Sequence, residues 1–145
     1  MNDPIVVERL IAAPPSVVYS YLTDSEKWAR WQGEDATIRP ERGGIFSISM
    51  SNGTRARGEF VEVDPGRRVV FTWGWVDHPG VPPGSTTVEI ELMAEGHGTR
   101  LRLTHHGLPP EEVPIHTQGW EYYSGRLVTV AEGGDPGPDA VPSDT

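Results

Sequence analysis

The chain has 145 residues and a mass of 15.9 kDa, about one domain's worth, and its 36% hydrophobic content is enough for a packed core. Twelve basic against 21 acidic side chains give a formal charge of −9, which argues against nucleic acid or an anionic membrane as a partner. The absence of cysteine excludes disulfides, thiolate metal sites and a cysteine nucleophile.

The first residues lack the positively charged start and the apolar run of a secretory signal. Every apolar run in the chain is far shorter than the roughly 20 residues that a membrane-spanning helix needs. We therefore expect a cytoplasmic protein without a membrane span.

The amino-terminal third is predicted to hold one strand and two short helices. β-branched residues favour a strand from Ile5 to Ala13, and the prolines at 14 and 15 favour a turn into a helix. A Thr-x-x-Glu capping box that begins at Thr23 opens a second helix, which carries Trp28 and Trp31 and ends near Gly33.

From Asp35 to His106 the apolar residues recur with a period of two, which predicts an antiparallel meander of strands. The turn at Asp64-Pro65-Gly66-Arg67 predicts a two-residue hairpin that places Phe60 opposite Phe71 and Ala56 opposite Trp75. Small residues would then face large aromatic side chains.

A second hairpin turns at residues 95–98, with Leu92 opposite Leu101 and Glu91 opposite Arg102 on the solvent face. This register puts His105 on the apolar face of the sheet. The proline-rich loop between the hairpins, residues 74–84, is predicted to form a rim or lid.

The last predicted element is the longest helix, from Pro114 to Glu132. Its apolar stripe has helical spacing and consists of His116, Trp120, Tyr123, Leu127 and Val130. Residues 133–145 have too little apolar content to offset the entropy of ordering them, so we predict one domain over 1–132 and a disordered acidic tail over 133–145.

The order of these elements defines an α+β protein, and several segments resemble the family of activators of heat-shock-protein-90 ATPase homologues. That family belongs to the START-like, birch-allergen-like superfamily of ligand-binding and cyclase domains. The segments are VVYSYLTDSEKWARWQG, RPERGGIFSISM, GEFVEVDPGRRVVFTWGW, STTVEIEL, GTRLRLTHHGLPPEE and HTQGWEYYSGRL.

The resemblance implies a helix-grip fold, in which a curved antiparallel sheet wraps the long carboxy-terminal helix and two short helices close one end. It also implies a cavity between the sheet and that helix. From the periodicity and this topology we predict that eight residues line the cavity: Trp31, Phe46, Met50, Phe71, Trp73, His105, Trp120 and Tyr123.

Five tryptophans are enough to fill much of such a cavity, so we expect a narrow aromatic slot and not a wide lipid chamber. His105 is the one histidine with a predicted polar role, either to orient a ligand or to act as an acid or base. The spacing of the histidines matches no metal motif, and we predict neither a metal nor a cofactor.

Three functions from different classes follow from the sequence. The favoured one is binding of a small hydrophobic or aromatic molecule without chemistry. The second, implied by the family resemblance, is contact with a chaperone of the heat-shock-protein-90 type. The third is a small polyketide cyclase or hydrolase in which His105 or Tyr123 is the acid or base. An open sheet edge would also allow two copies to pair, so the chain is expected to be a monomer or a homodimer.

Overall fold

The computed structural model describes residues 4–140 and consists of one antiparallel sheet, three α-helices and a short 3₁₀ turn. The seven strands are β1 Ile5–Ile11, β2 Asp35–Ile38, β3 Ile45–Ser49, β4 Arg55–Asp64, β5 Arg68–Trp73, β6 Thr86–Glu95 and β7 Gly98–His106. The helices are α1 Pro15–Thr23, α2 Ser25–Trp28 and α3 Val113–Ala131, and the 3₁₀ turn Pro110–Glu112 precedes α3.

The strand order is β1-β7-β6-β5-β4-β3-β2, so the predicted meander pairs its last strand with the first strand of the chain. This curved sheet and the long terminal helix confirm the helix-grip fold. The predicted apolar stripe of α3, from His116 to Val130, is buried.

The second hairpin has the predicted register, with Leu92 opposite Leu101 and Glu91 opposite Arg102. Alternation along β7 then turns the His105 side chain inward, where it is 1% exposed. This strand therefore brings one imidazole into the space between the sheet and α3.

The first hairpin differs from the prediction at its turn. The Arg67 N–H donates to the Asp64 carbonyl and Gly66 has φ +77°, but Asp64 pairs with Arg68, so three residues form the loop where two were expected. A proline-glycine turn lacks the twist that a two-residue hairpin requires.

A bulge between Phe60 and Glu62 absorbs the extra residue. Beyond it the predicted partners are restored, because Phe60 lies opposite Phe71 and Ala56 opposite Trp75. The aromatic side chains at positions 71, 73 and 75 therefore share the inner face of the sheet as the sequence predicted.

The structure describes residues 133–140 in contact with the domain, and the disorder expected for the tail stays a prediction. The Gly133 and Gly134 N–H groups cap α3 by donating to the carbonyls of Val130 and Thr129. Arg126 then holds the segment by donating to the carbonyls of Pro136 and Pro138. Residues 133–140 thus contact the domain through polar groups and not through buried apolar side chains. Residues 141–145 lie outside the described part of the chain.

The loop between β5 and β6 is folded tightly against itself, and Gly74 makes this possible. A Cβ on Gly74 would lie 1.8 Å from the Pro82 carbonyl oxygen. The Trp75 N–H also donates to the Val81 carbonyl, and the Val81 side chain is fully buried. The loop therefore presents Trp75 in a fixed position at the end of the sheet.

We expect Gly74→Ala to lower the free energy of unfolding by about 1–3 kcal/mol, because the backbone of Pro82 has to move. The matched control is Gly125→Ala in α3, where the new methyl group meets nothing within 4 Å. Higher helix propensity should make the control neutral or stabilising by up to about 1 kcal/mol. Urea unfolding of both variants measures this, and equal stabilities would contradict the tight loop.

Candidate functional site

Aromatic rings fill most of the space between the sheet and α3. Phe46 stacks on Phe71 with ring centroids 4.2 Å apart, and Trp73 packs 5.1 Å from Trp120 and 5.3 Å from Trp75. Such contacts stabilise the core beyond the apolar area that they bury. Little interior volume is left for a ligand.

The remaining interior gap has a volume of about 20 Å³, which is room for one water molecule. The structure brings four of the predicted lining residues, Met50, Trp73, Trp120 and Tyr123, to this gap. The other four are buried in the packed core around it: Trp31, Phe46, Phe71 and His105. The gap is also lined by Gln32, Trp75, His116 and Gly119.

His105 has both ring nitrogens occupied by buried partners. The Trp120 Nε1–H donates to Nδ1 over 2.9 Å, and Nε2 lies 2.8 Å from the Thr86 hydroxyl. That hydroxyl donates its only proton to the Trp73 carbonyl, so it must accept a proton from His105 Nε2–H. His105 is therefore a neutral imidazole that joins the sheet to α3.

His116 forms a second pair of this kind. Its Nε2 accepts from the Trp75 Nε1–H over 2.9 Å, and its Nδ1–H donates to the Glu112 carbonyl over 2.9 Å. Burial lowers the pKa of His116, while the hydrogen bond to Glu112 opposes this effect. Trp75 and His116 are thereby held together as one wall.

A larger cleft of about 550 Å³ opens to solvent on the other side of this wall. Trp75 and His116 line both the cleft and the interior gap, so the hydrogen-bonded pair borders the two spaces. The other lining residues come from the β3–β4 turn, the first residue of β4, the β5–β6 loop, the 3₁₀ turn and the start of α3: Gly53, Thr54, Arg55, Val76, Asp77, His78, Glu112 and Ile115. None of the eight predicted residues is among the described residues that line this cleft.

The β5–β6 loop is tied to α3 by a contact at the rim of the cleft. His78 Nε2 lies 3.2 Å from the Glu112 carboxylate, and the Gly80 N–H donates to His78 Nδ1. Asp77 adopts a left-handed conformation, with φ +64°. The sequence predicted a rim at this loop, but not the contact that fixes it.

At the other end of the gap, Tyr123 donates its hydroxyl proton to Asp139 over 3.0 Å. Burial, and then the negative charge of Asp139, raise the pKa of Tyr123, so its hydroxyl stays protonated. The Trp73 Nε1–H, in a residue that also lines the gap, has no hydrogen-bond partner among the described residues.

Among residues 4–140, no group of three or more histidine, aspartate or glutamate side chains is placed to hold a metal ion. In the same range, no helix is long and apolar enough to cross a membrane.

A curved sheet gripping a long terminal helix, with a cleft at the end of that helix, defines a helix-grip protein of the START-like class. The model of the family described as Activator of Hsp90 ATPase homolog 1-like protein matches residues 12–132. The chain belongs to this family. No curated protein matches the chain closely enough to count as a relative.

Several solved structures are similar over most of the chain. The AHSA1-like protein from Rhizobium etli is 46% identical, with 97% of this chain and 89% of that chain covered and a TM-score of 0.73. Protein MLL2253 from Mesorhizobium loti is 25% identical, with coverage of 92% and 99% and a TM-score of 0.82. The Aha1 dimer from Colwellia psychrerythraea is 18% identical, with coverage of 92% and 98% and a TM-score of 0.80, which is a likeness of fold.

The neutral state of His105 predicts a specific pH dependence of stability. Burial lowers its pKa to about 3, whereas an unfolded histidine titrates near about 6.5. Between these values the unfolded chain binds a proton that the folded chain excludes, so stability falls as the pH drops through this window. The loss is at most about 1.4 kcal/mol per pH unit, and this contribution is complete above pH about 6.5.

Urea unfolding between pH 7 and 4 measures this effect in the wild type and in His105→Gln. The amide can accept from Trp120 and donate to Thr86 but does not titrate, so the variant should show a shallower slope. His97→Gln, in the exposed turn between β6 and β7, is the control and should keep the wild-type slope. A His105→Gln slope equal to the wild type would contradict the buried neutral imidazole.

Proposed function

We infer that this protein binds a small molecule with an aromatic or apolar body in the cleft outside the Trp75–His116 wall. One observation carries the inference: the cleft of about 550 Å³ falls within the range of ligand sites, whereas the interior gap of about 20 Å³ does not. The sequence placed the ligand deeper, between the sheet and the middle of α3.

The walls of the cleft fit a ligand of this class. Trp75, Val76 and Ile115 supply apolar surface, while Arg55 and Glu112 supply charges of opposite sign. The Trp75 indole is 8% exposed and hydrogen-bonded to His116, so the aromatic wall is fixed before a ligand arrives. Binding should therefore cost little ordering of this wall.

The geometry of His105 weakens the enzyme alternative in the form that the sequence suggested. An acid or base needs a free nitrogen within reach of substrate, but both nitrogens of His105 are engaged inside the core. The Tyr123 hydroxyl likewise donates to Asp139.

The chaperone alternative rests on the family description, which names an activator of Hsp90 ATPase. It remains a prediction, as does pairing of two copies through β1 or β2, the edge strands of the sheet. Pull-down and ATPase measurements with a bacterial Hsp90-type chaperone address the first, and sedimentation addresses the second.

The cleft can be tested with N-phenyl-1-naphthylamine, a neutral aromatic dye that fluoresces when its surroundings exclude water. We expect saturable binding of one dye per chain. Ile115→Asn places an amide on the apolar wall and should weaken binding by at least about tenfold, which equals about 1.4 kcal/mol.

The matched control is Met93→Asn, which makes a similar change on the outer face of the sheet, where Met93 is 43% exposed. This variant should bind the dye as the wild type does. Equal weakening in both variants, or no saturable binding to the wild type, would overturn the proposed function.

A further inference from the structure

The carboxylate of Asp139 occupies a polar recess at the end of the interior gap that is remote from the cleft. Its Oδ2 accepts from the Gly33 N–H over 2.9 Å, and its Oδ1 accepts from the Tyr123 hydroxyl over 3.0 Å. The backbone carbonyl of the same residue accepts a 3.3 Å hydrogen bond from Ser51. Both carboxylate oxygens thus have a separate donor, although 106 residues separate Gly33 from Asp139.

The donors of this recess are positioned by the domain. Gly33 has φ +79°, and a Cβ there would lie 2.7 Å from both Ile48 Cγ2 and the Ser49 carbonyl oxygen. Only glycine fits this turn, and the turn directs the Gly33 N–H toward Asp139. Tyr123 is 2% exposed and fixed on the inner face of α3.

A buried arginine lies close enough to Tyr123 for its charge to act on the Tyr123 hydroxyl. The Arg126 guanidinium is 9% exposed and donates to the carbonyls of Trp31, Pro136 and Pro138. These partners are neutral carbonyl oxygens, so the guanidinium keeps a favourable field for an anion nearby. The two directed donors, on Gly33 and Tyr123, serve the two oxygens of a carboxylate separately.

We propose that the Gly33 N–H and the Tyr123 hydroxyl form a carboxylate-binding subsite, which the chain's own Asp139 fills as an internal competitor of small organic acids. Residues 133–140 act as a strap that keeps this competitor in place. The subsite borders the gap, because Gln32 and Tyr123 line the gap and Gly33 directly follows Gln32. The gap has room for only one water molecule, so a carboxylate that displaces Asp139 would place the rest of its molecule along the path of the strap.

The competition has a measurable consequence for affinity. An external carboxylate binds only in the fraction of molecules whose Asp139 has left the recess, and its apparent affinity falls by that fraction. Removing the Asp139 side chain should therefore strengthen binding of an external carboxylate by at least about tenfold.

Acetate is the direct probe, since it reproduces the side chain that Asp139→Gly removes. In this variant the amide resonance of Gly33 should shift from its wild-type position, and added acetate should return it toward that position. Acetamide has the same size without the charge and should have at least about tenfold less effect. In the wild type, acetate should leave the Gly33 resonance nearly unchanged at the same concentration.

Two further variants distinguish binding at the subsite from nonspecific effects of acetate or of a lost charge. Asp135→Gly removes the same charge from the same strap, but Asp135 bonds only to Gly137 among the contacts described, and acetate should not move Gly33 in this variant. Tyr123→Phe combined with Asp139→Gly should lose most of the acetate response while the spectrum remains that of a folded protein.

Equal responses to acetate and acetamide, or no response at Gly33 in Asp139→Gly, would overturn the subsite. The readout is independent of the cleft, because the dye reports on Ile115 and the amide resonance on Gly33. Failure of one proposal therefore leaves the other standing.

Discussion

Two hydrogen bonds from indole N–H groups to buried imidazoles connect the sheet to its long helix, and the rest of the interior depends on them. Trp120 on α3 donates to His105 on β7, and Trp75 at the end of β5 donates to His116 on α3. A buried polar group without a partner costs about 1–3 kcal/mol, so each ring must take the orientation that serves its partner. In the first hydrogen bond the donor lies on the helix, and in the second the acceptor does.

This constraint explains why the fold carries so small an internal gap. Large rings that hydrogen-bond to one another cannot move apart to leave a wide cavity. The rings of Phe46, Phe71 and Trp73 also pack at contact distance. The cleft of about 550 Å³ lies instead at the start of α3, where the Trp75–His116 pair borders it. The same packing leaves both histidines neutral and structural in the folded protein.

The fold could be predicted from the sequence to a large extent, because periodicity and turn residues are local signals. The alternation of side chains along β7 predicted that His105 lies on the inner face. The register of β6 with β7 was predicted from directly opposed residues such as Leu92 and Leu101. The first hairpin was mispredicted at its turn because a two-residue loop was expected, although a proline-glycine turn lacks the twist that such a loop requires. Disorder of the tail was predicted from its low apolar content, a signal that carries no information about the hydrogen bonds from Arg126 to the carbonyls of residues 136 and 138.

The site was less predictable. Trp75 has the same alternation as Trp73 and was placed opposite Ala56, yet its role as a wall depends on His116, which is 41 residues away. Burial of a side chain and lining of a cavity give the same pattern in a sequence, so packed rings such as Phe46 could not be told from ligand contacts.

The most direct test of a filled interior with an external cleft is to locate a bound aromatic probe. Nuclear Overhauser effects between N-phenyl-1-naphthylamine and the protein should connect the dye with the Ile115 methyl groups and the Trp75 ring, and should be missing for Phe46 and Phe71. Effects to the rings of Phe46 and Phe71 instead would show that the core opens to admit the ligand, and would contradict this account.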